Sequence, residues 1–457
     1  MSLREAATAV GASVRGGDVR FESISTDSRA LARGSLFVAL RGDRFDGHRF
    51  IEAAAQRGAV AAMVAEDAPG IRDSRIPYLL VDDTKLALGR LAGHWRARFE
   101  IPLIAVTGSN GKTTVKEMIA AILRAHFGEV HVLATEGNLN NDIGLPLTLL
   151  GLRPQHAAAV VELGMNHPGE TAYLAAIAAP SIALVNNAQR EHQEFMNTVA
   201  EVAREHGAVF AALGPGGTAV INADDEFSGY WRGLVAGRRV SEFGIDRPAQ
   251  VSGRYAVRDF GSEINLRAPG GETAIALHAD GRHNVLNACA AAACALAAGA
   301  SLDAVARGLA GFRAVAGRAQ RWATRSGAGV IDDSYNANPD SVRAAIDVLA
   351  AFEGTRLLVL GDMGEVGARG TEFHEEIGRY ARQRRIDRLY ATGELSRASV
   401  SAFGKGARHF ASVADLIAGV KSELRPQTML LVKGSRFMRM ERVVQALTGE
   451  PAAGGGH

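Results

Sequence analysis

Cysteine is almost absent from this chain, which has two among its 457 residues, Cys289 and Cys294. Both lie in the alanine-rich run NACAAAACALAAGA, five positions apart, so on a helix they do not share a face. Two thiols alone do not make a zinc site. We therefore expect both side chains to be small buried hydrophobic groups.

Long apolar runs and an excess of charge of one sign are also missing. No segment approaches the roughly 20 apolar residues of a membrane-spanning helix, and the first residues, MSLREAATAVGAS, lack the apolar region of a signal peptide. Lysine and arginine total 51 against 49 for aspartate and glutamate, so no global basic field favours nucleic acid. The sequence predicts a cytoplasmic protein without membrane insertion, which we expect to be a monomer that binds anionic ligands locally.

Alternating apolar runs and helical patterns divide the chain into three α/β units. We expect a small α/β domain over residues 1–98, a central domain with a mostly parallel sheet of the P-loop type over 99–313, and a Rossmann-like α/β domain over 314–457. Several apolar runs end in polar residues, as in HAAAVVELG, GTAVINADD and GVIDDSYNANP. Ligands of open parallel sheets bind beyond the carboxyl ends of the strands, so we expect the site there.

The stretch VTGSNGKTT, residues 106–114, predicts a phosphate-binding loop. It contains G-x-x-G-K-T, a shorter form of the P-loop, between the strand-like run LIAVTG and an amphipathic helical pattern. Backbone N–H groups and the helix N-terminus suit phosphate oxygens, the lysine reaches the terminal phosphates, and the first threonine hydroxyl suits Mg²⁺. The residues expected at the nucleotide are Gly108, Asn110, Gly111, Lys112, Thr113 and Thr114. A glycine-rich turn with an exposed lysine is the alternative.

This loop resembles that of the Mur ligases and the folylpolyglutamate synthetases. Four further stretches, GNLNNDIGLPLTLL, ELGMNHPGE, DDSYNANPDS and LGDMGEVG, are similar to the Mur ligases that add D-alanyl-D-alanine to UDP-N-acetylmuramoyl-tripeptide. The N-terminal STDSRALARGSLFVALRGDRFDGHRF resembles the uridine-nucleotide domain of such ligases. The resemblance covers nearly the whole chain, and it implies an ATP- and Mg²⁺-dependent amide-bond-forming ligase of peptidoglycan synthesis.

The resemblance also implies the chemistry: ATP converts the tripeptide carboxylate into an acyl phosphate, which the amine of D-Ala-D-Ala then attacks. Positioning and charge neutralisation dominate such a reaction. Glu162 ends the run AAVVE, where an unpaired buried carboxylate is costly, so we expect it to bind Mg²⁺; a surface carboxylate is the alternative. The resemblance gives His192 a role at the metal and phosphates, and so makes Lys112, Glu162 and His192 the expected catalytic residues, with Thr113, Glu162 and His192 at the metal.

The same resemblance assigns residues to the nucleotide on the far side of the loop. Asn284 and Asn287, in GRHNVLNACAAAA beside His283, fall at the adenine, although Asn284 could instead be a helix N-cap. Arg318, at the junction AGRAQRW, reaches the nucleotide from the hinge.

Asp333 and Asn336, in DDSYNANPDS, are candidates for the ATP side and for the incoming dipeptide. Within that motif Asn338 and Pro339 fit a helix N-cap and first helical position. Lys433 and Arg436, in VKGSR, could bind the dipeptide carboxylate or could be a solvated pair at a strand end.

The remaining candidates concern the UDP substrate and the phosphates. Ser28, Arg29 and His48 are the candidates for the UDP end, with Arg41 and Arg44 adding charge against the diphosphate. Asn138 and Asn141 suit phosphate contact or loop closure, or are only turn residues.

The chain departs from the Mur ligase pattern at one position. Many members support a second Mg²⁺ with a carbamylated lysine, but in VAREHGAVF His206 stands at that place, after Glu205, and no lysine occurs between Lys116 and Lys405. Glu205 could supply its own carboxylate, His206 could bind the metal, or water and substrate could hold the ion. We favour the first or the third alternative.

Three other functions compete with this one. The motif SYNANP argues against a ligase that adds a single amino acid, and the set Lys112, Thr113, Glu162 and His192 argues against a regulatory ATPase that has lost ligation. A Rossmann oxidoreductase is disfavoured because no G-x-G-x-x-G follows an early strand. The third peptide residue of the substrate stays open between diaminopimelate and lysine.

Overall fold

The computed structural model describes residues 1–42, 45–68, 75–258 and 261–449, and three sheets organise them. The first part of the chain contains α1 (Leu3–Val10), β1 (Ser13–Arg15), β2 (Ser23–Ser25), β3 (Ser35–Val38), β4 (Arg41–Gly42), β5 (Phe45–Asp46), α2 (Ile51–Gln56), β6 (Ala61–Ala65), β7 (Tyr78–Val81) and α3 (Thr84–Arg96). Its sheet has the order β1-β7-β6-β3-β2, parallel except for the β1–β7 pair, and β4 pairs with β5 in a separate hairpin. Helices α1 and α3 pack on one face of this sheet.

The middle of the chain forms a nine-stranded sheet. Its elements are β8 (Leu103–Thr107), α4 (Lys112–Phe127), β9 (Val132–Ala134), α5 (Gly144–Leu150), β10 (Ala158–Glu162), α6 (Glu170–Ala178), β11 (Ile182–Val185), α7 (Val199–Gly207), β12 (Thr218–Asn222), α8 (Ser228–Leu234), β13 (Arg239–Gly244), β14 (Val251–Arg258), β15 (Gly261–Ala268), β16 (Gly271–Leu277), α9 (Arg282–Ala297) and α10 (Leu302–Gly311). The order is β16-β15-β14-β13-β12-β11-β8-β10-β9, parallel from β9 to β14 and antiparallel across β14, β15 and β16. This confirms a mostly parallel central sheet.

The last part of the chain forms a six-stranded sheet. Its elements are β17 (Gln320–Ala323), β18 (Gly329–Asp333), α11 (Pro339–Ala350), β19 (Thr355–Leu360), α12 (Gly370–Gln383), β20 (Arg388–Thr392), α13 (Ser396–Phe403), β21 (Ala407–Phe410), α14 (Val413–Lys421), β22 (Thr428–Lys433) and α15 (Glu441–Thr448). The order is β17-β18-β22-β19-β20-β21, with only the β17–β18 pair antiparallel among these strands. The three-unit α/β fold is therefore confirmed, while the boundaries at 98/99 and 313/314 stay predictions.

The central sheet is buried on both faces, which explains its continuous apolar strands. Along β8, Ile104 and Val106 pack with α4, α9 and α10, whereas Leu103 and Ala105 point to the opposite face and pack with α5, α6 and α7. With both faces covered by helices, ligands can approach at the ends of the strands. Among the described residues, no helix combines the length and apolar character needed to span a bilayer.

Both cysteines lie on α9 and are fully buried and free, as the sequence predicts. Burial raises the pKa of Cys289 to about 12 and raises that of Cys294 as well. They act as small apolar side chains between α9 and its neighbours in the core.

Candidate active site

A cavity of about 1440 Å³ is lined by residues from all three parts of the chain. It opens beyond the carboxyl ends of the central parallel strands, where the phosphate loop follows β8. The predicted residues that line it are Asn110, Gly111, Lys112, Thr113, Thr114, Asn138, Asn141, Glu162, His192, Asn284, Asn287, Arg318, Asp333, Asn336, Lys433 and Arg436. Gly108, Ser28, Arg29 and His48 are not among its lining residues.

The phosphate loop requires glycine at two positions. Gly108 has φ +134° and Gly111 has φ +82°, backbone conformations that side chains disfavour. A Cβ on Gly111 would lie 2.7 Å from Oδ1 of Asn287, so the loop also packs tightly against α9. Helix α4 begins at Lys112, directly after the loop, and its first three residues line the cavity. The N-terminus of a helix suits an anion.

Lys112 folds back over its own loop. Its Nζ donates to the carbonyl oxygen of Gly108 at 2.5 Å and lies 3.3 Å from Oε2 of Glu191. The side chain is 15% exposed, so the alternative of a glycine turn with an exposed lysine is wrong.

Glu162, at the end of β10, is buried and is bonded at both oxygens. Thr113 Oγ1 donates to Oε2 and Asn140 Nδ2 donates to Oε1, each at 2.8 Å. No group of three or more histidine, cysteine, aspartate or glutamate side chains capable of holding a metal occurs in the described residues. Oxygen donors from Thr113 and Glu162, completed by phosphate and water, fit Mg²⁺, which keeps several waters and takes one or two carboxylates.

Glu191 is a functional candidate that the sequence analysis missed. Its Oε1 accepts a hydrogen bond from Nε2 of His206 at 2.7 Å, and its Oε2 faces Lys112 and lies 3.7 Å from Nε2 of His192. Burial opposes ionisation, but Lys112, His206 and His192 outweigh it and lower the pKa of Glu191 to about 2. The only sequence signal is the adjacency of Glu191 to His192 in NNAQREHQEF.

His206 is fully buried behind Glu191. Burial lowers its pKa despite the neighbouring carboxylate. Its Nε2 lies 2.7 Å from Oε1 of Glu191 and its Nδ1 lies 2.9 Å from the Thr107 hydroxyl. Both ring nitrogens are therefore engaged by protein groups, and neither faces a metal position.

Glu205 does not face the cavity. Its two carboxylate oxygens accept from the backbone N–H groups of Gly169 at 2.9 Å and Thr171 at 2.8 Å, at the start of α6. A carboxylate there stabilises the helix N-terminus. The expectation that Glu205 supports a second Mg²⁺ is therefore corrected, because its oxygens are committed to α6.

His192 connects the central domain to the motif LGDMGEVG. Its Nδ1 lies 2.5 Å from Oε2 of Glu365, and the contact lowers the pKa of Glu365. Both residues have positive φ, +48° for His192 and +56° for Glu365. Such backbone is uncommon for non-glycine residues, and functional sites are a frequent place for it.

At the position predicted for adenine, amides form a chain behind the loop. Asn284 Nδ2 donates to the carbonyl oxygen of Asp280 at 2.8 Å, and Asn287 Nδ2 donates to Oδ1 of Asn284 at 3.1 Å. Gly281, not Asn284, is the N-cap of α9, so the N-cap alternative is wrong. The Arg318 guanidinium lies 4.3 Å from the centre of the Tyr335 ring, at the edge of the cavity.

Lys433 and Arg436 have different environments. Lys433 is 3% exposed, is paired with Asp333, and donates to the carbonyl oxygen of Asn336 at 3.0 Å. Arg436 is half exposed and lies 3.1 Å from Glu441. The solvated alternative is thus wrong for Lys433. Asn338 and Pro339 do begin α11, with a capping box between Asn338 and Ser341.

The UDP candidates lie apart from the cavity lining. His48 is buried and uses both ring nitrogens within its own domain, Nδ1 toward Asp46 at 2.6 Å and Nε2 accepting from the N–H of Ala65 at 3.0 Å. Arg29 is exposed and pairs with Asp27, while Ser28 is half-buried. Their UDP role stays a prediction.

Four further polar candidates, two arginines and two asparagines, differ in their relation to the cavity. Arg41 pairs with Asp67 at 2.7 Å, and Arg44 lies outside the described residues. Asn138 and Asn141 are both exposed and both line the cavity. Asn141 also accepts at Oδ1 from the N–H of Gly144 and so holds the turn before α5.

Comparisons with known proteins agree with this architecture. Family models described as the Mur ligase family, catalytic domain, the Mur ligase middle domain, and the Mur ligase, glutamate ligase domain match residues 20–96, 106–295 and 317–436. The UDP-N-acetylmuramoyl-tripeptide--D-alanyl-D-alanine ligase of Escherichia coli strain K12 is 41% identical over 98% of both chains. The ligase of the same name from Bacillus subtilis strain 168 is 33% identical, over 94% of this chain and 93% of its own.

Solved structures give the same result. MurF from Acinetobacter baumannii matches with a TM-score of 0.90 at 33% identity over 98% of both chains. The MurF ligase from Thermotoga maritima in complex with ADP matches with a TM-score of 0.82 at 26% identity, over 93% of this chain and 96% of its own. With the phosphate loop, the buried Glu162 and relatives matching from end to end, the chain belongs to the Mur ligase family.

Proposed function

We propose that this chain joins D-alanyl-D-alanine to UDP-N-acetylmuramoyl-tripeptide at the expense of ATP, forming the pentapeptide precursor of peptidoglycan. The observation that carries this proposal is that curated ligases of this specificity match nearly the whole chain at up to 41% identity. The cavity supports it, because residues for an ATP-dependent reaction line the central side while candidates for the amine substrate line the C-terminal side.

Residues of the central domain would bind ATP and assist transfer of its terminal phosphate. Lys112 is already bent over the loop and can transfer its hydrogen bonds from loop carbonyls to the terminal phosphates of ATP. Thr113 and Glu162 would hold Mg²⁺, which neutralises phosphate charge during transfer. His192 lies beside Glu365 and close to Glu191, where it would orient groups at the transferred phosphate. These residues favour attack of the tripeptide carboxylate on the γ-phosphate to give an acyl phosphate.

The amine side falls to the C-terminal domain. Lys433 is committed to Asp333, so its role is to fix the strand end from which Asn336 reaches the cavity. Arg436 is half exposed and is the better cation for the carboxylate of the dipeptide. We place the UDP moiety on the first domain and expect the reaction in the cytoplasm, where ATP is supplied, by a monomer.

The test is phosphate release from ATP with Mg²⁺ and UDP-N-acetylmuramoyl-tripeptide, measured with a panel of amines. The tripeptide is supplied in two forms, ending in diaminopimelate or in L-lysine. Release that depends on D-Ala-D-Ala supports the proposal, and the better tripeptide identifies the third residue. Release driven by D-Ala or another single amino acid, or release that needs no amine, overturns it.

A further inference from the structure

A buried carboxylate stands at the phosphate loop without an assigned task. Glu191 is 6% exposed, lines the cavity and follows β11 on the loop that also carries His192. Its two oxygens have separate partners: Oε1 is held from behind by His206, and Oε2 is directed at Lys112 and His192. Because Oε2 of Glu191 points at Lys112, the lysine of the phosphate loop, it is placed to contact a phosphate or a cation bound there.

We propose that Glu191, positioned by His206, is a further catalytic residue that supplies the carboxylate ligand for a second divalent cation at the terminal phosphate. The enzyme then needs no carbamylated lysine. This inference rests on the proposed function, because it assigns a ligand within the same reaction.

The support behind Glu191 is rigid. His206 lies on α7 with no exposed surface, and its Nδ1 is held by Thr107, the last residue of β8. The carboxylate is therefore tied to the strand that leads into the phosphate loop. Fixed geometry of this kind is what a metal ligand obtains from the partners behind it.

Charge balance supplies the second argument. Without nucleotide, Lys112 offsets the charge of Glu191 at 3.3 Å. When the terminal phosphate of ATP binds Lys112, the phosphate and the Glu191 carboxylate are two anions with a single lysine between them in a poorly solvated site. This arrangement is unfavourable unless another cation binds between the two anions. Oxygen ligands from a carboxylate and a phosphate favour a hard divalent ion.

Within the part of the chain that the structure describes, no lysine that lines the cavity is free to become the carbamylated ligand of the second cation. The lysines that line the cavity are Lys85, Lys112 and Lys433. Lys85 is 2.7 Å from Asp142 and Lys433 is paired with Asp333, while Lys112 belongs to the phosphate loop. Glu191 thus provides, as an encoded side chain, the negative charge that a carbamate would otherwise bring.

The first test counts bound Mn²⁺ by electron paramagnetic resonance, with the full-length protein, a non-hydrolysable ATP analogue and the UDP-tripeptide. We expect wild type to bind two ions, and Glu191→Gln to keep the ion at Glu162 but to bind the other at least about tenfold more weakly, equivalent to about 1.4 kcal/mol. Glu205→Gln is the matched control, since its carboxylate faces α6, and should bind both ions as wild type does. Unchanged affinity for both ions in a folded Glu191→Gln protein overturns the proposal.

A second measurement does not depend on the stability of any variant. Crystals of the wild-type protein with Mn²⁺ and the ATP analogue should show an anomalous peak about 2.1 Å from a Glu191 oxygen. A second-ion peak without contact to Glu191 overturns the proposal.

His206 is tested as a positioning residue. His206→Gln, which can still donate to Glu191, should raise the KM for Mg²⁺ modestly, and His206→Ala should raise it more, with kcat changing less than KM. An equal loss of kcat in both variants at saturating Mg²⁺, with no change in KM, contradicts positioning.

Bicarbonate dependence separates this proposal from carbamylation. Wild-type activity should be unchanged when carbon dioxide and bicarbonate are removed, and Glu191→Ala/His206→Lys should become dependent on bicarbonate. Loss of wild-type activity on removal overturns the proposal. Amine-specific phosphate release by wild type is measured independently, so failure of this inference is distinguishable from failure of the proposed function.

Discussion

Asn110 of the phosphate loop and Asn338 at the N-cap of α11 exchange two hydrogen bonds across the boundary between the central and C-terminal sheets. Asn110 Nδ2 lies 3.3 Å from Oδ1 of Asn338, and Asn338 Nδ2 donates to Oδ1 of Asn110 at 2.9 Å. Beside them, Arg190 of the central domain lies 2.6 Å from Asp340 and 2.6 Å from Glu376 of the C-terminal domain. Asn110, Asn338 and Asp340 line the cavity, so these contacts join the two domains at its wall.

Arg190→Ala should favour an open arrangement. The arginine is mostly buried and pairs with two carboxylates of the opposite domain, so its loss should lower kcat/KM for D-Ala-D-Ala about tenfold or more, the scale of a domain-coupling free energy. Small-angle scattering should show a larger radius of gyration. Arg343→Ala is the matched control, because Arg343 pairs with Glu376 at 3.0 Å inside the C-terminal domain; equal effects of the two substitutions would contradict a role in closure.

Glu162→Gln should separate catalysis from folding. The amide keeps the shape but loses the charge, and it can accept from only one of Thr113 and Asn140, at a cost of about 1 kcal/mol of stability. Without the carboxylate for Mg²⁺, kcat should fall about a hundredfold or more. Steady-state kinetics across a range of Mg²⁺ concentrations, with thermal melting of both proteins, checks this. A near-normal kcat at low Mg²⁺ would exclude Glu162 as a metal ligand.

The phosphate loop was predictable because its chemistry is contiguous. Gly108 to Thr114 lie within seven residues. The spacing of apolar residues on either side predicts the strand before the loop and the helix after it. Glu162 was predictable for a related reason, since a carboxylate ending a buried strand needs a partner. The long-range pairs were not predictable in this way: Glu191 and His206 are 15 residues apart, and Asn110 and Asn338 are 228 apart.

The position of Glu205 shows why the sequence could not predict which side chains face the site. On α7, Glu205 and His206 are adjacent, so they point in different directions around the helix. Only packing decides that His206 faces Thr107 while Glu205 faces the start of α6.

The antiparallel strands β14 to β16 were not predicted, although their sequence carries a strand pattern. In β15, buried Ile264 and Leu266 alternate with exposed Glu263 and Asn265, as in a strand with one buried face.

Stability should depend on pH through His374, behind the motif that carries Glu365. Its Nδ1 donates to the carbonyl oxygen of Gly370 at 2.7 Å and its Nε2 accepts from the N–H of Met363 at 3.0 Å. Burial lowers its pKa below the ordinary 6.5. The folded state therefore keeps the ring neutral while the unfolded chain takes up a proton, so this contribution is complete above pH 6.5 and is lost as pH falls through the folded pKa.

Melting temperatures of wild type and His374→Gln between pH 8 and 5 measure that contribution. Wild type should lose stability more steeply than the variant below about pH 6.5, the range in which a histidine titrates. Parallel curves for the two proteins would show that His374 does not carry the dependence.

The two cysteines should be unreactive in the native protein. Both thiols are buried in α9, and the raised pKa of each keeps it protonated at neutral pH, whereas the thiolate is the reactive form. A disulfide exchange reagent should label neither cysteine under native conditions and both in denaturant. Rapid native labelling would mean that α9 opens locally, and bound ATP analogue should then slow it.

The most direct measurement of the central claim follows an oxygen atom. UDP-N-acetylmuramoyl-tripeptide labelled with ¹⁸O in its terminal carboxylate is incubated with ATP, Mg²⁺ and D-Ala-D-Ala, and the released phosphate is examined by mass spectrometry. Ligation through an acyl phosphate transfers one labelled oxygen from each carboxylate to phosphate, in step with formation of the UDP-pentapeptide. Unlabelled phosphate, or phosphate released without the pentapeptide, would contradict the assignment of this chain as a ligase acting through that intermediate.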